Sequence, residues 1–243
     1  WEGLEEPAQA ERYAARHREV MEAAATVFAD ADEEFASLGA VKARLEDFKL
    51  SYPRDYGNTY MHLSTPALFS PYVRLQLMAW DPLFADEPPG AGAAANGQTR
   101  AGVHKGFDKQ AWYETLFDYG LGPDPAAAAM AGDDPDAELV PTLVRKLVLP
   151  VAQHLLERCW DPFSMRHSSE AAAIVADLCV YVPPEEERMA ELLGCVVGVL
   201  EAAAQASTLP PWPPAAVAAS PVAEAVLARR FRAAVRLLRG AAA

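Results

Sequence analysis

The chain has 243 residues, of which 51% are hydrophobic and 23% charged, as expected of a folded protein with a sizeable core. Its formal net charge of −13 disfavours nonspecific nucleic-acid binding over the whole surface and leaves a local basic patch possible. No uninterrupted apolar run reaches the roughly 18 residues of a membrane span, so we expect no membrane contact.

The first fifty residues are predicted to form an N-terminal helical element. Over 1–36, apolar residues recur at spacings of three, four and seven, which predicts one long helix. That helix is either a short coiled-coil or helix-hairpin seam, or an ordinary amphipathic packing helix. A second helix is expected over 38–50, with a bend near Gly39. We assign 1–50 to this coiled-coil-like element and 51–243 to a helical domain.

The densest run of apolar and aromatic side chains lies in 51–83. Ser51 is the predicted N-cap of a short helix, and Ser64 or Thr65 the N-cap of the next. A proline inside a helix removes one backbone donor, so Pro71 is expected to kink or restart the second helix. Because this helix is apolar nearly all round, we expect it to be buried on most of its circumference.

Two stretches rich in Gly, Ala and Pro, 85–106 and 121–137, have no helical periodicity. They are predicted to be flexible, disordered-type insertions that act as spacers rather than sites. The aromatic segment 107–119 between them is expected to be helical.

Apolar periodicity continues through the second half of the chain. A long helix over 139–160 is expected to kink at Pro150, and Ser168 is the predicted N-cap of the following one. The Pro-rich stretch 209–214 is expected to cross in an extended form, anchored by Trp212. Further helices are expected over 185–206 and 222–239. No strand alternation is visible, so the fold class is predicted to be all-α, an array of about eight or nine mostly antiparallel helices.

A Trp-Asp-Pro tripeptide follows a proline-interrupted helix twice, at Trp80 and at Trp160. The tryptophan is expected to pack the end of one helix, and the aspartate to cap the next segment. This repeated pattern indicates either a duplicated helix-turn unit or two ordinary helix caps.

The residues contain no recognisable catalytic or metal-binding pattern. No histidine stands at metal-ligand spacing, and no nucleophile elbow, P-loop or dinucleotide fingerprint is present. We therefore predict no enzymatic activity and no cofactor. The three widely spaced cysteines, Cys159, Cys179 and Cys195, are expected to be reduced core residues, which fits a reducing compartment.

Two sets of charged residues are candidate binding sites. Arg74 and Asp81 lie seven residues apart, so they either face a partner groove or cap and pair with neighbouring helices, and we favour the structural role. The last helix carries a basic stripe, with Leu227, Phe231, Ala234 and Leu238 on the opposite side. The stripe consists of Arg229, Arg232, Arg236 and Arg239, which are the candidate partner-binding residues for a protein, RNA or the acidic parts of this chain.

Three segments together resemble one family. They are SYPRDYGNTYMHLSTPALFSPYVRLQLMAWDPL, WYETLFDYG and LVPTLVRKLVLPVAQHLLERCWDPFS, in that order. The pattern is similar to the GCFC domain, the C-terminal domain of the GC-rich sequence DNA-binding factor and paired-box-binding-protein-like family. The match covers roughly 50–240, and the insertion 85–106 departs from it. The motif residues are Pro71, Arg74, Gln76, Trp80, Pro82, Trp112, Pro150, Trp160, Asp161, Pro162 and Phe163.

The resemblance implies a nuclear, non-enzymatic scaffold in pre-mRNA splicing. Its implied partners are a G-patch protein of the tuftelin-interacting type and, through it, a DEAH-box RNA helicase that disassembles the intron-lariat spliceosome, with RNA contact open. The alternative is a transcriptional regulator that binds GC-rich DNA. The acidic charge and the single arginine stripe argue against DNA binding by this portion of the protein.

Overall fold

The computed structural model describes residues 7–84, 106–120 and 134–241. Every element in these ranges is helical, which confirms the predicted all-α fold class. Contacts divide the chain into two compact units, one up to Val151 and one from Ala152 onward. The boundary predicted between 50 and 51 stays a prediction. The insertion residues 85–105 and 121–133 lie outside the described ranges.

In the described residues the first unit contains six helices, and a seventh runs across its C-terminal boundary. Residues 144–148 form a wide π-helical turn between α6 and α7, and α7 contains the boundary between the units. The elements are α1 (Pro7–Thr26), α2 (Leu38–Ser51), α3 (Pro53–Asn58), α4 (Met61–Leu77), α5 (Ala111–Leu116), α6 (Leu139–Leu143) and α7 (Leu149–Arg158).

The second unit contains four further helices, α8 (Met165–Cys179), α9 (Glu187–Ala206), α10 (Pro214–Ala218) and α11 (Pro221–Ala241). Helix α11 packs against α8 and α9. When α6 and α7 are joined and the single-turn α10 is left out, the described residues contain nine helices, within the predicted range.

The predicted helix over 1–36 is too long at its C-terminal end. Helix α1 ends at Thr26, and 27–36 forms turns. These turns pack on α4, where the Phe28 ring stacks on Tyr72 with centroids 4.4 Å apart, and the Tyr72 hydroxyl donates to the Phe35 carbonyl at 2.5 Å. Ser37 then caps α2 by accepting the Ala40 N–H. Tertiary contacts with α4 stop the helix where periodicity alone would continue it.

Helix α4 is the centre of the first unit, as it contacts α2, α3, α5 and α6. Its buried side includes Phe69, Val73 and Leu77. The prediction that it would be buried around most of its circumference is wrong, because Leu63 is 69% exposed and Leu68 45% exposed. One face meets the core, and the other is an apolar surface.

The predicted caps in this region are also wrong. Ser51 is the last residue of α2, and Tyr52 rather than Ser51 precedes α3. The break between α3 and α4 falls at Tyr60, whose φ of 52° is left-handed, instead of at Ser64 or Thr65. Thr65 lies inside α4 and donates its hydroxyl to the His62 carbonyl at 3.2 Å. Pro66 has no N–H to donate to the His62 carbonyl, and the Thr65 hydroxyl donates to it instead. The helix therefore continues through Pro66.

Helix α4 also continues through Pro71 without restarting. At Pro150 the long helix remains continuous, but its hydrogen bonding widens just before the proline, with the Leu149 N–H donating to the Val144 carbonyl. A π turn is one of the ways in which a helix accommodates a residue that cannot donate.

In the second unit the predicted cap Ser168 is wrong. Ser164 is the N-cap of α8 and accepts the His167 N–H at 3.3 Å, while Ser168 is buried inside the helix. Trp212 in the Pro-rich stretch is 44% exposed and so is not the buried anchor that was expected.

Two apolar stretches in the described residues are long enough to cross a membrane by length and composition, Pro135–Arg158 and Glu187–Ala206. Half of the first is buried within the protein, as in the core helix of a globular fold. The second is interrupted by Glu191 and Glu201. Neither pattern by itself argues for a membrane span.

Candidate functional site

Two motif residues of the first unit bond directly to each other. The Gln76 side-chain oxygen on α4 accepts the backbone N–H of Trp112 at 2.7 Å, and the Trp112 indole N–H donates to Gln110 at 2.7 Å. The first N–H groups of a helix have no partner within it, so Gln76 satisfies one of them for α5 from a distant part of the chain. These residues fix α5 against α4.

The other motif residues of this unit are split between core and surface. Trp80 and Pro82 are buried, and the Trp80 ring meets Phe107 edge-on with centroids 6.3 Å apart. Pro71 and Arg74 are exposed, and Arg74 Nε donates to Ser70 one turn earlier at 3.2 Å. The tryptophan holds the core, whereas the arginine lies on the surface.

The second Trp-Asp-Pro motif forms the turn before α8. The Asp161 carboxylate accepts the Phe163 N–H at 2.9 Å, and the Pro162 carbonyl accepts the Ser168 hydroxyl at 3.5 Å. The Trp160 indole N–H is buried and has no hydrogen-bond partner among the described residues. Pro150 lies exposed in α7. These motif residues shape a turn.

A partly buried polar cluster, which we call the lysine cluster, joins α2, α3 and the residues on either side of 121–133. It consists of Lys49, Tyr56, Tyr119, Asp134 and Asp136. Lys49 Nζ lies 2.6 Å from Asp134 and 2.7 Å from Asp136. The Tyr56 hydroxyl lies 2.8 Å from that of Tyr119 and donates to the Asp136 carboxylate at 3.0 Å. Lys49 therefore connects to the tyrosine pair through Asp136.

Gly120 packs closely against the lysine cluster. Its φ of 79° is left-handed, and a Cβ at this position would lie 2.8 Å from Lys49 Nζ. The Gly120 carbonyl also accepts from Lys49 at 3.3 Å. Glycine alone meets both the backbone and the space requirements here.

The cluster shifts the ionisation of its own members. Burial raises the pKa values of Tyr56 and Tyr119 well above 10.0, and the charge on Asp136 adds to the shift. Burial lowers the pKa of Lys49, but the hydrogen bonds and charges of Asp134 and Asp136 outweigh it, so the pKa lies above its ordinary value. Neutral tyrosines and a charged lysine are therefore the stable forms.

The lysine cluster corrects the predicted insertion 121–137. The last residues of that predicted insertion, 134–137, enter a short 3₁₀ turn, and Asp136 is only 3% exposed. Sequence reasoning missed the cluster because its members lie up to 87 positions apart, and no short-range spacing marks them. Each polar group finds its partner inside the cluster, which indicates a structural role.

The basic stripe forms one exposed face of α11, which we call the Arg face. All four of its side chains are exposed. Arg232 Nε donates to the Ala228 carbonyl one turn earlier at 3.1 Å. None of the four forms an ion pair with a carboxylate among the described residues of its own unit. The face consists of Arg229, Arg232, Arg236 and Arg239.

The apolar face predicted opposite to the Arg face is not the one that packs. Phe231 is 59% and Leu238 71% exposed, whereas Leu237 and Gly240 are buried. At Gly240 a Cβ would lie 2.8 Å from the Ser168 hydroxyl on α8, so the missing side chain permits this approach. The packed face is therefore offset from the predicted one, and α11 leaves both its basic and much of its apolar surface open.

Across the described ranges, the structure brings together no group of three His, Cys, Asp or Glu side chains that could hold a metal ion. Among the described residues the three cysteines form no disulfide, but Cys179 is exposed and Cys159 and Cys195 are only partly buried, so the predicted core positions are wrong. The open surface of α11 is therefore the strongest candidate site for binding.

Comparison with known sequences decides the family. Residues 38–219 match the family described as GC-rich sequence DNA-binding factor-like protein (GCFC). The chain belongs to the GCFC family. This confirms the resemblance carried by the aromatic and Trp-Asp-Pro motifs.

Several GCFC relatives share much of the chain. It is 38% identical over 199 residues, 82% of its length, to "Transcriptional repressor ILP1" of Arabidopsis thaliana, of which this covers 20%. Human "PAX3- and PAX7-binding protein 1" is 32% identical to the chain over 152 residues. That alignment covers 63% of the chain and 14% of the human protein. Mouse "Intron Large complex component GCFC2" is 21% identical over 159 residues, which is 65% of the chain and 18% of the mouse protein. The chain thus spans about one fifth or less of these GCFC relatives.

Proposed function

We propose that this GCFC domain is a non-enzymatic nuclear scaffold in pre-mRNA splicing. The observation that carries the proposal is family membership together with a relative whose name assigns it to an intron complex. The domain offers a helical framework with an open basic face on α11. A scaffold needs such a surface and needs no catalytic residues.

The partner we propose is a G-patch protein of the tuftelin-interacting type, which would connect the domain to a DEAH-box helicase during disassembly of the intron-lariat spliceosome. In support, the Arg face stands on a chain with a net charge of −13, so a free polyanion is repelled overall while a protein can meet the local patch. The domain should form a stable 1:1 complex with that G-patch protein.

A pull-down with purified, nuclease-treated G-patch protein tests this function. We expect retention at physiological salt, with sedimentation showing one copy of each chain. Absence of a complex under these conditions would contradict the proposal.

A second candidate is a transcriptional regulator that binds GC-rich DNA. It is favoured by the 38% identity to a relative named as a transcriptional repressor. A gel shift with GC-rich duplex at physiological salt tests it, since specific binders survive competitor DNA and nonspecific ones do not. We expect weak, salt-sensitive binding. Nanomolar binding that outlasts competitor would instead support the DNA-binding function.

A further inference from the structure

The Arg face of α11 continues into an apolar surface toward the helix N-terminus. Val222 lies seven residues before Arg229, and Ala225 four residues before it, so all three share one side of the helix. Val222 is 73% exposed. A shallow depression of about 410 Å³ lies here, lined by Pro221, Val222, Ala225, Val226 and Arg229.

This exposed side therefore has two chemical halves. With a rise of about 1.5 Å per residue, Val222 precedes Arg229 by roughly 10 Å, and the Arg face then extends for roughly 15 Å to Arg239. An occupant that fits both halves has an apolar group at one end and negative charges along the rest.

The charges on α11 favour an anionic occupant. The helix contains five arginines and a single acidic residue, Glu224. Arg230 donates to the Thr208 carbonyl at 2.8 Å, so it is used within the unit. The remaining four form the Arg face, which pairs with no carboxylate in the described part of this unit.

We propose that this side of α11 binds an acidic, amphipathic segment of a protein partner. An apolar side chain of the segment packs on Val222 and Ala225, and its carboxylates pair with the Arg face. Arginine suits this role because its planar guanidinium binds carboxylates bidentately. The proposal rests on the proposed scaffold function and names the chemistry that its partner must present.

An RNA strand fits this surface less well. Phosphates would match the Arg face, but Val222 and Ala225 offer them no hydrogen bond, and the apolar end would stay exposed. A helical peptide with carboxylates spaced three and four residues apart matches the arginines and covers the valine as well.

The first test measures fluorescence anisotropy with a synthetic helical peptide that carries leucines in its first two turns and glutamates at the spacing of the Arg face. We expect Arg232→Glu with Arg236→Glu to weaken binding roughly tenfold or more. The matched control is Arg54→Glu with Arg188→Glu, which changes net charge equally at exposed sites outside the face and should leave affinity close to wild type.

The apolar end is tested separately. We expect Val222→Ser to weaken binding of the peptide about fivefold, because apolar burial is lost. The control is Val180→Ser, a valine that is 76% exposed in the same unit and lies outside α11. A peptide with lysines in place of the glutamates should bind the Arg232→Glu, Arg236→Glu variant better than it binds wild type.

Three outcomes would overturn the inference. One is equal peptide binding by the Arg-face and control variants, and another is no effect of Val222→Ser. The third is tighter binding of a uridine-rich RNA than of the peptide. If the G-patch pull-down succeeds and is insensitive to the Arg-face variant, this inference fails and the scaffold function stands. If wild type binds the peptide but not the G-patch protein, the proposed function fails instead.

Discussion

At the scale of single residues, the lysine cluster is the strongest polar feature of the first unit. The Asp136 carboxylate is almost fully buried, with a side-chain exposure of 1%, and Lys49 is its cationic partner. A buried charge that loses its partner costs more than the pair itself contributes. Lys49 also contacts Gly120 and Asp134, so it joins the two described residues that flank 121–133.

We expect Lys49→Met to lower the free energy of unfolding by about 2–3 kcal/mol, since it leaves the Asp136 carboxylate without its cation. Urea denaturation of the purified domain measures this loss. Lys146→Met, at an exposed lysine of the same unit, is the control and should change stability by less than about 0.5 kcal/mol. Equal effects of the two substitutions would show that the cluster contributes nothing.

The tyrosines predict a response to alkaline pH. Their pKa values in the folded protein are raised above the ordinary 10.0, so the unfolded chain ionises first. Their contribution to the free energy of unfolding is therefore complete below pH 10. It is lost as the pH rises toward their pKa values in the folded protein, at up to about 1.4 kcal/mol per pH unit for each tyrosine. Tyr56→Phe should reduce this slope in urea titrations, whereas Tyr52→Phe, at an exposed position, should not. An unchanged slope for Tyr56→Phe would contradict the assignment.

At the scale of elements, α5 depends on a cap from another helix. Gln76→Ala removes the acceptor for the Trp112 N–H and should lower stability by about 1–2 kcal/mol in urea unfolding. Gln205→Ala removes an exposed glutamine from α9 and is the control, with little change expected. If the two variants unfold alike, the contact between α4 and α5 is not a stabilising cap.

The close packing of α11 on α8 predicts that alanine is less favourable at Gly240 than at a glycine that faces open space. Gly198→Ala on α9 meets open space and should stabilise by about 0.5–1 kcal/mol, through helix propensity alone. Gly240→Ala places a methyl group 2.8 Å from the Ser168 hydroxyl and should lose that gain or destabilise. Thermal unfolding of both variants measures these changes in stability. Stabilisation by Gly240→Ala would mean that α11 and α8 do not meet closely at this position.

Periodicity predicted which segments are helical but not where they end. The apolar spacings of 38–50 and 139–160 translate into helices because local patterning and packing agree there. The ends of α1 and α3 were misplaced because they depend on distant contacts, such as Phe28 on Tyr72, or on a left-handed residue such as Tyr60. No sequence rule marks such positions in advance. The start of α8 was misplaced for a local reason, because two serines could cap it and Ser164, rather than Ser168, accepts the N–H of the first turn.

The candidate site was predictable only in part. The spacing of the Arg face was visible from sequence, since charge periodicity needs no tertiary information. The side of α11 that packs was not, because Gly240 permits a close approach that a hydrophobicity pattern cannot reveal. The lysine cluster had no sequence signal at all.

At the scale of the whole molecule, the GCFC domain combines a hydrogen-bonded first unit with an open, basic helix in the second. The first unit is built around α4, and its motif residues serve mainly caps and core. The second exposes the Arg face on an otherwise acidic chain. This division of roles is the basis for proposing a scaffold that presents a protein-binding helix.

The most direct test compares two affinities of the same purified domain at physiological salt, one for the G-patch protein and one for GC-rich duplex DNA. The scaffold account predicts a 1:1 complex with the protein that is at least roughly tenfold tighter than binding to the duplex. Duplex binding that is equal or tighter, and that needs no protein partner, would contradict it.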